Sequence, residues 1–216
     1  MLAVTIGVGH HYAAEAETAS ATVRWSTGLE TVVLTATPGE PVPAFYKMRL
    51  LDMFPGETIL YFDADTRFLR KWDVVRHDGS PAFRAVLDWP STARNTDCKA
   101  FALDASRYVN TGIWIASPHH APVFRLADRI CHASDYATEF QYEQTALNAA
   151  LQRLGVPMIF LDRRYNAICS PRRLRSGEFP ADPVVLHRAG AGCVTSREMF
   201  AEILIREKAK VAGAEI

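Results

Sequence analysis

Strand-like and helix-like segments alternate along the 216-residue chain. Short apolar runs are separated by longer segments in which apolar residues recur with the period of a helix. This order is typical of an α/β fold, in which helices flank a central sheet. Strands are predicted at 3–8, 31–35, 58–62, 81–88, 109–116, 158–161 and 184–187, and helices at 12–25, 44–53, 121–134, 139–154 and 195–210.

The length and composition fit one globular domain. A chain of 216 residues can bury a full core, and no linker, repeat or low-complexity tract divides it, so we expect a single domain spanning residues 1–216. Hydrophobic residues make up 49% and charged residues 22%, a balance typical of folded chains. The 24 basic and 24 acidic residues cancel, which argues against a nucleic-acid partner.

Cysteine usage and hydropathy favour a cytoplasmic location. The four cysteines are far apart and have neither Cys-x-x-Cys nor zinc-site spacing, so they are interpreted as reduced thiols. The apolar run at 2–8 has no basic region before it and is too short for a signal peptide. No apolar run approaches the roughly 20 residues that span a bilayer. We therefore expect no transmembrane segment, and recruitment to the periphery of a membrane stays open.

Two carboxylates, Asp63 and Asp65, follow an apolar strand one residue apart. Because side chains alternate across a strand, both are expected to project to the same side while Ala64 points away. Hard cations such as Mg²⁺ and Mn²⁺ take oxygen ligands together with substrate phosphates, so the pair predicts a metal site. The alternative is a solvated strand-to-loop corner, since chance alone gives roughly 0.7 Asp-x-Asp pairs at this composition.

Four segments in the same order resemble the motifs of the family 8 glycosyltransferases. They are Tyr46-Lys47-Met48-Arg49-Leu50 leading into Asp63-Ala64-Asp65, Asn110-Thr111-Gly112-Ile113-Trp114, Glu143-Gln144-Thr145-Ala146-Leu147-Asn148, and Val185-Leu186-His187-Arg188-Ala189-Gly190. The resemblance implies a single GT-A (Rossmann-like) domain with a mixed, mostly parallel central sheet flanked by helices. It also implies transfer of a hexose from a nucleotide diphosphate sugar with retention of configuration.

The same resemblance implies a cofactor, partners and site residues. The expected donor is a UDP-hexose, the acceptor a glycan or glycolipid, and the cofactor Mn²⁺ or Mg²⁺. The implied metal ligands are Asp63, Asp65 and His187, and the implied catalytic residues are Gln144 and Glu143. The implied donor-binding residues are Gly7, Gly9, Tyr12, Lys47, Arg49, Asp63, Ala64, Asp65, Asp88, Asn110, Thr111, Gly112, His187 and Gly190.

Several of these assignments have alternatives. Lys47 and Arg49 lie two residues apart, so on a helix they do not share a face, and Arg49 is preferred for the donor. Gly7 and Gly9 would let the backbone approach the nucleotide, and their other role is a turn at the end of a strand. Asp88 is either a sugar contact or a turn residue.

The sequence departs from the family pattern at three positions. Cys193 stands where the family often has a lysine that binds the donor diphosphate, which leaves Arg188 or Arg197 as substitutes. Gly9 replaces an asparagine beside the base, and Glu143 replaces an aspartate. The missing lysine makes an inactive relative, which binds a nucleotide sugar without transferring it, the alternative function. A nucleotidyltransferase or an oxidoreductase is disfavoured, because residues 7–12 lack the glycine-rich loops that those classes need.

Overall fold

The computed structural model describes residues 1–36, 43–133, 142–169, 173, 177–188 and 194–211. Nine strands lie in these ranges: β1 (Leu2–Val8), β2 (Thr31–Ala36), β3 (Ile59–Phe62), β4 (Thr66–Phe68), β5 (Phe83–Leu87), β6 (Val109–Ala116), β7 (Met158–Leu161), β8 (Ala167–Ile168) and β9 (Val185–His187). The α-helices in these ranges are α1 (Gly9–Thr27), α2 (Leu50–Met53), α3 (Thr92–Phe101), α4 (Ala121–His132), α5 (Tyr142–Arg153) and α6 (Val194–Val211).

Six of the strands form a central sheet in the order β2-β1-β3-β6-β5-β7. β1 pairs in parallel with both β2 and β3, and β5 pairs in parallel with β7. β6 alone among the six runs against its neighbours, β3 and β5. The sheet is therefore mixed and mostly parallel, which confirms the fold class that the sequence predicts.

A second sheet of three short strands, in the order β4-β9-β8, stands apart from the central one. β9 pairs antiparallel with β4 and parallel with β8. The sequence predicts β9 but neither of its partners, because β4 has three residues and β8 only two. These pairings fix the position of His187, the last residue of β9.

The hydrophobic core packs against β3, the strand that leads into the Asp-x-Asp segment. Trp114 on β6 is fully buried, and its ring centroid lies 5.1 Å from that of Tyr61 on β3 and 4.9 Å from that of Phe124 on α4. Burial of each such side chain stabilises the fold by about 1.5–3 kcal/mol. β3 is thereby held against β6 up to the point where the chain leaves the sheet.

Two helical regions differ from the prediction. The segment predicted as one helix at 44–53 is a 3₁₀ helix, Pro43–Arg49, followed by the short α2. Helix α3 is absent from the prediction because it is too polar to show an apolar stripe, and it begins where Ser91 accepts a hydrogen bond from Arg94 N–H at 3.1 Å. Within the described ranges, no helix has the length and apolar character that crossing a bilayer requires.

Candidate functional site

The carboxylates of Asp63 and Asp65 lie in a turn between β3 and β4. β3 ends at Phe62, and Thr66 donates its backbone N–H to Asp63 O at 3.1 Å and its hydroxyl to the same oxygen at 2.7 Å. Both residues lie beyond the end of β3, so the expectation that strand alternation aligns their side chains is wrong. The turn closed by Thr66, rather than the pleat of a strand, brings the two carboxylates together.

His187 completes a cluster with these carboxylates. It pairs with Thr66 across β9 and β4, and its Nε2 lies 3.2 Å from Asp65 Oδ1 and 3.5 Å from Asp63 Oδ2. One ligand atom from each of the three residues lies within 4.8 Å of the other two. Two carboxylates and an imidazole at this spacing fit a single divalent cation.

Gly112 on β6 leaves the space that this cluster needs. A Cβ added there would lie 2.3 Å from His187 Cε1 and 2.9 Å from Asp63 Oδ2. Gly112 O also accepts the backbone N–H of Asp63 at 2.8 Å. A larger residue would therefore push the imidazole or the carboxylate out of the cluster, so glycine serves close packing at this position.

Charge holds the cluster together. Burial would raise the pKa of Asp65, but His187 and Arg188 outweigh it and lower that pKa to about 2. Burial would likewise lower the pKa of His187, and the nearby Asp65 and Asp63 raise it above its ordinary value instead. The imidazole and the carboxylates thus form an ion pair, in which a divalent cation can replace the imidazole proton.

Lys47 reaches Asp63 of this cluster from the 3₁₀ helix. Its Nζ lies 2.9 Å from Asp63 Oδ1 and 2.6 Å from Glu143 Oε1 on α5. Tyr61 donates its hydroxyl to the same Asp63 oxygen at 2.8 Å. Burial would lower the pKa of Lys47, but the carboxylates of Asp63 and Glu143 raise it well above its usual range, so the amine stays charged.

Arg49 contacts a different part of the molecule. Its side chain is 48% exposed, its Nε lies 3.4 Å from Asp128 Oδ1, and its Nη2 lies 3.4 Å from His132 Nε2 on α4. The structure thus places Arg49 against α4, and the preference for Arg49 over Lys47 as a donor contact stays a prediction. Of the two cations, Lys47 is the one that contacts Asp63.

Gln144 in the first turn of α5 is clamped between two partners. Its Oε1 accepts the Thr111 N–H at 3.1 Å, and its Nε2 donates to Asp88 Oδ2 at 3.2 Å. Asn110 Nδ2 lies 3.4 Å from the other oxygen of Asp88. Burial raises the pKa of the Asp88 carboxyl. The structure thus brings four predicted site residues into one polar network where β5 ends and β6 begins.

A cleft of about 260 Å³ opens beside the Asp-x-Asp turn. It is lined by Ile6, Val8, Tyr12, Lys47, Tyr61, Asp63, Ala64 and Asp65. Tyr12 lies in the first turn of α1 and is 36% exposed, so its ring can contact a planar ligand. The cleft therefore offers an aromatic surface and the carboxylate cluster to one molecule.

Gly7 and Gly9 shape the entry into α1. A Cβ added to Gly7 would lie 2.7 Å from both Tyr12 O and Ala13 Cα. Gly9 has a φ of 69°, a left-handed conformation that glycine adopts without strain. Gly7 thus lets α1 pack closely against β1, Gly9 forms the turn into α1, and a close approach of either glycine to a nucleotide stays a prediction.

Arg188 lies behind the Asp-x-Asp turn. Its backbone N–H donates to Asp65 O at 3.0 Å, and its Nη1 lies 3.0 Å from Glu15 Oε1 on α1. Arg67 forms a close ion pair with the other oxygen of Glu15. Gly190 and Cys193 lie outside the described residues, as does the side chain of Arg197.

Asn166 is a site residue that sequence reasoning missed. It is buried, and it contacts both His187 and Asn110 through its side-chain amide. It is the last residue of the 3₁₀ helix Arg163–Asn166 and directly precedes β8. No local motif marks it, because its two partners lie 21 and 56 residues away in the chain.

Solved glycosyltransferase structures are similar to the chain over most of its length. A glycosyltransferase involved in glycosylation of the major capsid of PBCV-1 aligns with 14% identity and a TM-score of 0.61, covering 95% of this chain and 100% of that one. The galactosyltransferase LgtC, solved with donor and acceptor sugar analogues, aligns with 14% identity and a TM-score of 0.63, covering 94% and 96%. Mouse xyloside xylosyltransferase 1 aligns with 8% identity and a TM-score of 0.58, covering 89% and 98%.

No protein-family model and no curated protein sequence matches the chain. At 14% identity and below, the similarity to solved structures establishes the fold. The protein has the GT-A glycosyltransferase fold, and the resemblance to the family 8 type is confirmed at that level.

Proposed function

We propose that the protein is a metal-dependent glycosyltransferase that moves a hexose from a UDP-linked donor to a hydroxyl group of a glycan or glycolipid acceptor. The observation that carries this proposal is the convergence of Asp63, Asp65 and His187 beside the cleft that Tyr12 lines. A nucleotide diphosphate sugar has a planar base for the aromatic ring and phosphates for a cation held by the cluster. The fold shared with structures named glycosyltransferases adds support.

The donor set supports Mn²⁺ or Mg²⁺ as the cofactor. Asp63 and Asp65 would hold the cation through oxygen and His187 through nitrogen, and the imidazole mildly favours Mn²⁺. A cation bound there supplies positive charge that stabilises the diphosphate as it leaves. Lys47 occupies Asp63 Oδ1, so this aspartate presents its other oxygen to the cluster.

The polar network around Gln144 is the proposed sugar site. Asp88 and Asn110 carry acceptors and donors for sugar hydroxyls at the ends of β5 and β6. Gln144, fixed by Asp88 and Thr111, is the residue that we assign to the neighbourhood of the reacting carbon, where its amide dipole steadies positive charge. Each carboxylate described in this site is engaged by a cation or an amide, which supports retention over an inverting mechanism with a free carboxylate base.

An inactive nucleotide-sugar-binding protein is the second candidate. The reason to consider it is Cys193, which stands where family 8 glycosyltransferases often have a lysine that binds the diphosphate. Such a protein would keep the cleft and the cation cluster and would release no product. Donor binding and donor turnover therefore distinguish the two candidates.

Thermal shift with a panel of nucleotide sugars, each with and without Mn²⁺, tests the proposal. A ligand that binds only the native state raises the melting temperature, so we expect a UDP-hexose to do so and Mn²⁺ to enlarge the shift. UMP is the matched control, since it keeps the base and lacks the diphosphate. The proposal fails if no nucleotide sugar shifts the melting temperature with either Mn²⁺ or Mg²⁺.

A further inference from the structure

A chain of hydrogen bonds runs from β6 to the imidazole of His187 through two asparagines. Gly112 N–H donates to Asn110 Oδ1 at 2.9 Å. Asn166 Nδ2 donates to the same Asn110 oxygen at 2.7 Å, and Asn166 Oδ1 lies 2.8 Å from His187 Nδ1. Asn166 is 3% exposed and His187 is 4% exposed, so water does not compete for these bonds.

The chemistry of this chain fixes the orientation of each amide. A backbone N–H can only donate, so the Asn110 atom that faces Gly112 must be the oxygen. That oxygen accepts from Asn166, so the Asn166 atom facing it must be the NH₂ group, and the atom facing His187 must be the carbonyl oxygen. Asn110 Nδ2 at the other end faces a carboxylate oxygen of Asp88, which agrees with the same assignment.

The orientation of Asn166 in turn decides where His187 carries a proton. Because Asn166 Oδ1 only accepts, His187 Nδ1 must donate, and it holds its proton whatever Nε2 contacts. Nε2 is the nitrogen that faces Asp65 and Asp63, at 3.2 and 3.5 Å. With the proton held on Nδ1, the lone pair that can bind a cation is the one on Nε2.

We propose that Asn166 is a positioning residue that fixes the tautomer and ring orientation of His187 and thereby presents Nε2 to a cation bound by Asp63 and Asp65. This inference rests on the metal site of the proposed function. Without an acceptor at position 166, the imidazole can carry its proton on either nitrogen, and only one of the two forms binds metal through Nε2. Residues that orient a ligating histidine in this way typically affect metal affinity by about 10- to 100-fold.

Two substitutions separate this role from simple packing. Asn166→Leu keeps a similar volume but removes the acceptor, whereas Asn166→Asp keeps an acceptor toward His187, loses the donor to Asn110 and adds a carboxylate. The control is Asn148→Leu, which removes another buried asparagine whose amide bonds the backbone of Val109 and not His187. All three are expected to lose stability, because each leaves buried polar groups without partners.

The readout is the dissociation constant for Mn²⁺ alone, measured by electron paramagnetic resonance without any nucleotide. We expect Asn166→Leu to weaken Mn²⁺ binding by about 10- to 100-fold, and Asn166→Asp and Asn148→Leu to stay within about 3-fold of wild type. Equal weakening in Asn166→Leu and Asn148→Leu would mean that general loss of packing is the cause. Unchanged Mn²⁺ affinity in folded Asn166→Leu would overturn the inference directly.

A second measurement uses the wild-type protein and needs no variant to fold. Two-bond ¹H–¹⁵N spectra with diamagnetic Mg²⁺, assigned by comparison with His187→Gln, report which ring nitrogen of His187 bears the proton. We expect the proton on Nδ1, and a proton on Nε2 instead contradicts the proposal. The proposed sugar transfer can fail while Mn²⁺ binds as expected here, whereas loss of all Mn²⁺ binding by wild type removes the metal site and this inference together.

Discussion

Lys47 Nζ lies 2.9 Å from Asp63 Oδ1, so one of the two oxygens of this carboxylate is already paired with the ammonium group of a lysine. The hydroxyl of Tyr61 donates to the same oxygen at 2.8 Å. Only Oδ2 of Asp63 faces His187 Nε2, at 3.5 Å. The lysine therefore divides the aspartate between a structural oxygen and one that is available to a metal.

Replacement of Lys47 is the first test of this division. Lys47→Met leaves the half-buried carboxylates of Asp63 and Glu143 without their shared cation, so we expect stability to fall by about 2–3 kcal/mol and Mn²⁺-dependent donor affinity to fall by at least about 10-fold. Arg49→Met, two residues away and 48% exposed at its side chain, is the matched control and should change donor affinity by less than about 2-fold. Calorimetry of both variants decides, and a larger loss in Arg49→Met would support the preference for Arg49 made from sequence.

Gly112 gives a prediction about space. Gly112→Ala places a Cβ against the imidazole of His187, so we expect Mn²⁺ affinity to fall by about 10-fold or more. His187→Ala should weaken Mn²⁺ binding more than it lowers the melting temperature, because the imidazole is assigned to the cation and not to the core. In the double variant, Gly112→Ala should lower Mn²⁺ affinity by less than it does alone, since the imidazole that its Cβ displaces is absent. Additive losses in Mn²⁺ affinity would show that Gly112 acts independently of His187.

Gln144 carries the prediction about mechanism. We expect Gln144→Ala to bind donor within about 3-fold of wild type but to transfer sugar at least about 10-fold more slowly, because an interaction made mainly in the transition state affects turnover more than affinity. NMR of the first-formed product should show an α-linkage from an α-linked donor. A β-linked product would refute retention, and full turnover by the variant would remove Gln144 from the mechanism.

Glu15 gives a prediction about pH. Burial opposes its charge, but Arg67 and Arg188 outweigh burial and lower the pKa of Glu15 below 4.5. The lowered pKa means that Glu15 stabilises the fold above pH 4.5 and that this contribution is lost as pH falls through the lowered value. We expect Glu15→Gln to cost about 1–2 kcal/mol in urea unfolding at neutral pH, a difference that shrinks below pH 4.5. Glu17→Gln, on the exposed face of α1, should cost little at any pH, and a pH-independent cost for Glu15→Gln would contradict this account.

The sequence predicted the larger elements because their signals are local. β6 runs over Val109–Ala116 as its apolar pattern indicates, and β1 and β2 differ from their predictions by one residue at an end. β4 and β8 were not predicted, because strands of three and two residues form only by pairing with β9, which is distant in the chain. The turn at 63–65 was not predicted for the same reason, since its shape depends on the pairing of β4 with β9.

The candidate site was predicted by residue type and less well by geometry. Spacing alone shows that Lys47 and Arg49 face different directions, but it cannot decide which direction is inward. That choice depends on Glu143, which lies 96 residues away and bonds Lys47. Asn166 carries no motif, and its role follows only from the bonds that its amide makes with Asn110 and His187.

The central claim is that Asp63 and Asp65 hold a cation on which sugar transfer depends, and donor cleavage tests it most directly. Release of UDP from the best-binding UDP-hexose is measured for wild type and for Asp63→Asn/Asp65→Asn, with Mn²⁺ and with excess chelator. The account predicts release by wild type with Mn²⁺ only, and none by a folded double variant under either condition, because a cation is needed to stabilise the departing diphosphate. Equal release by wild type in chelator, or by the double variant, would contradict it.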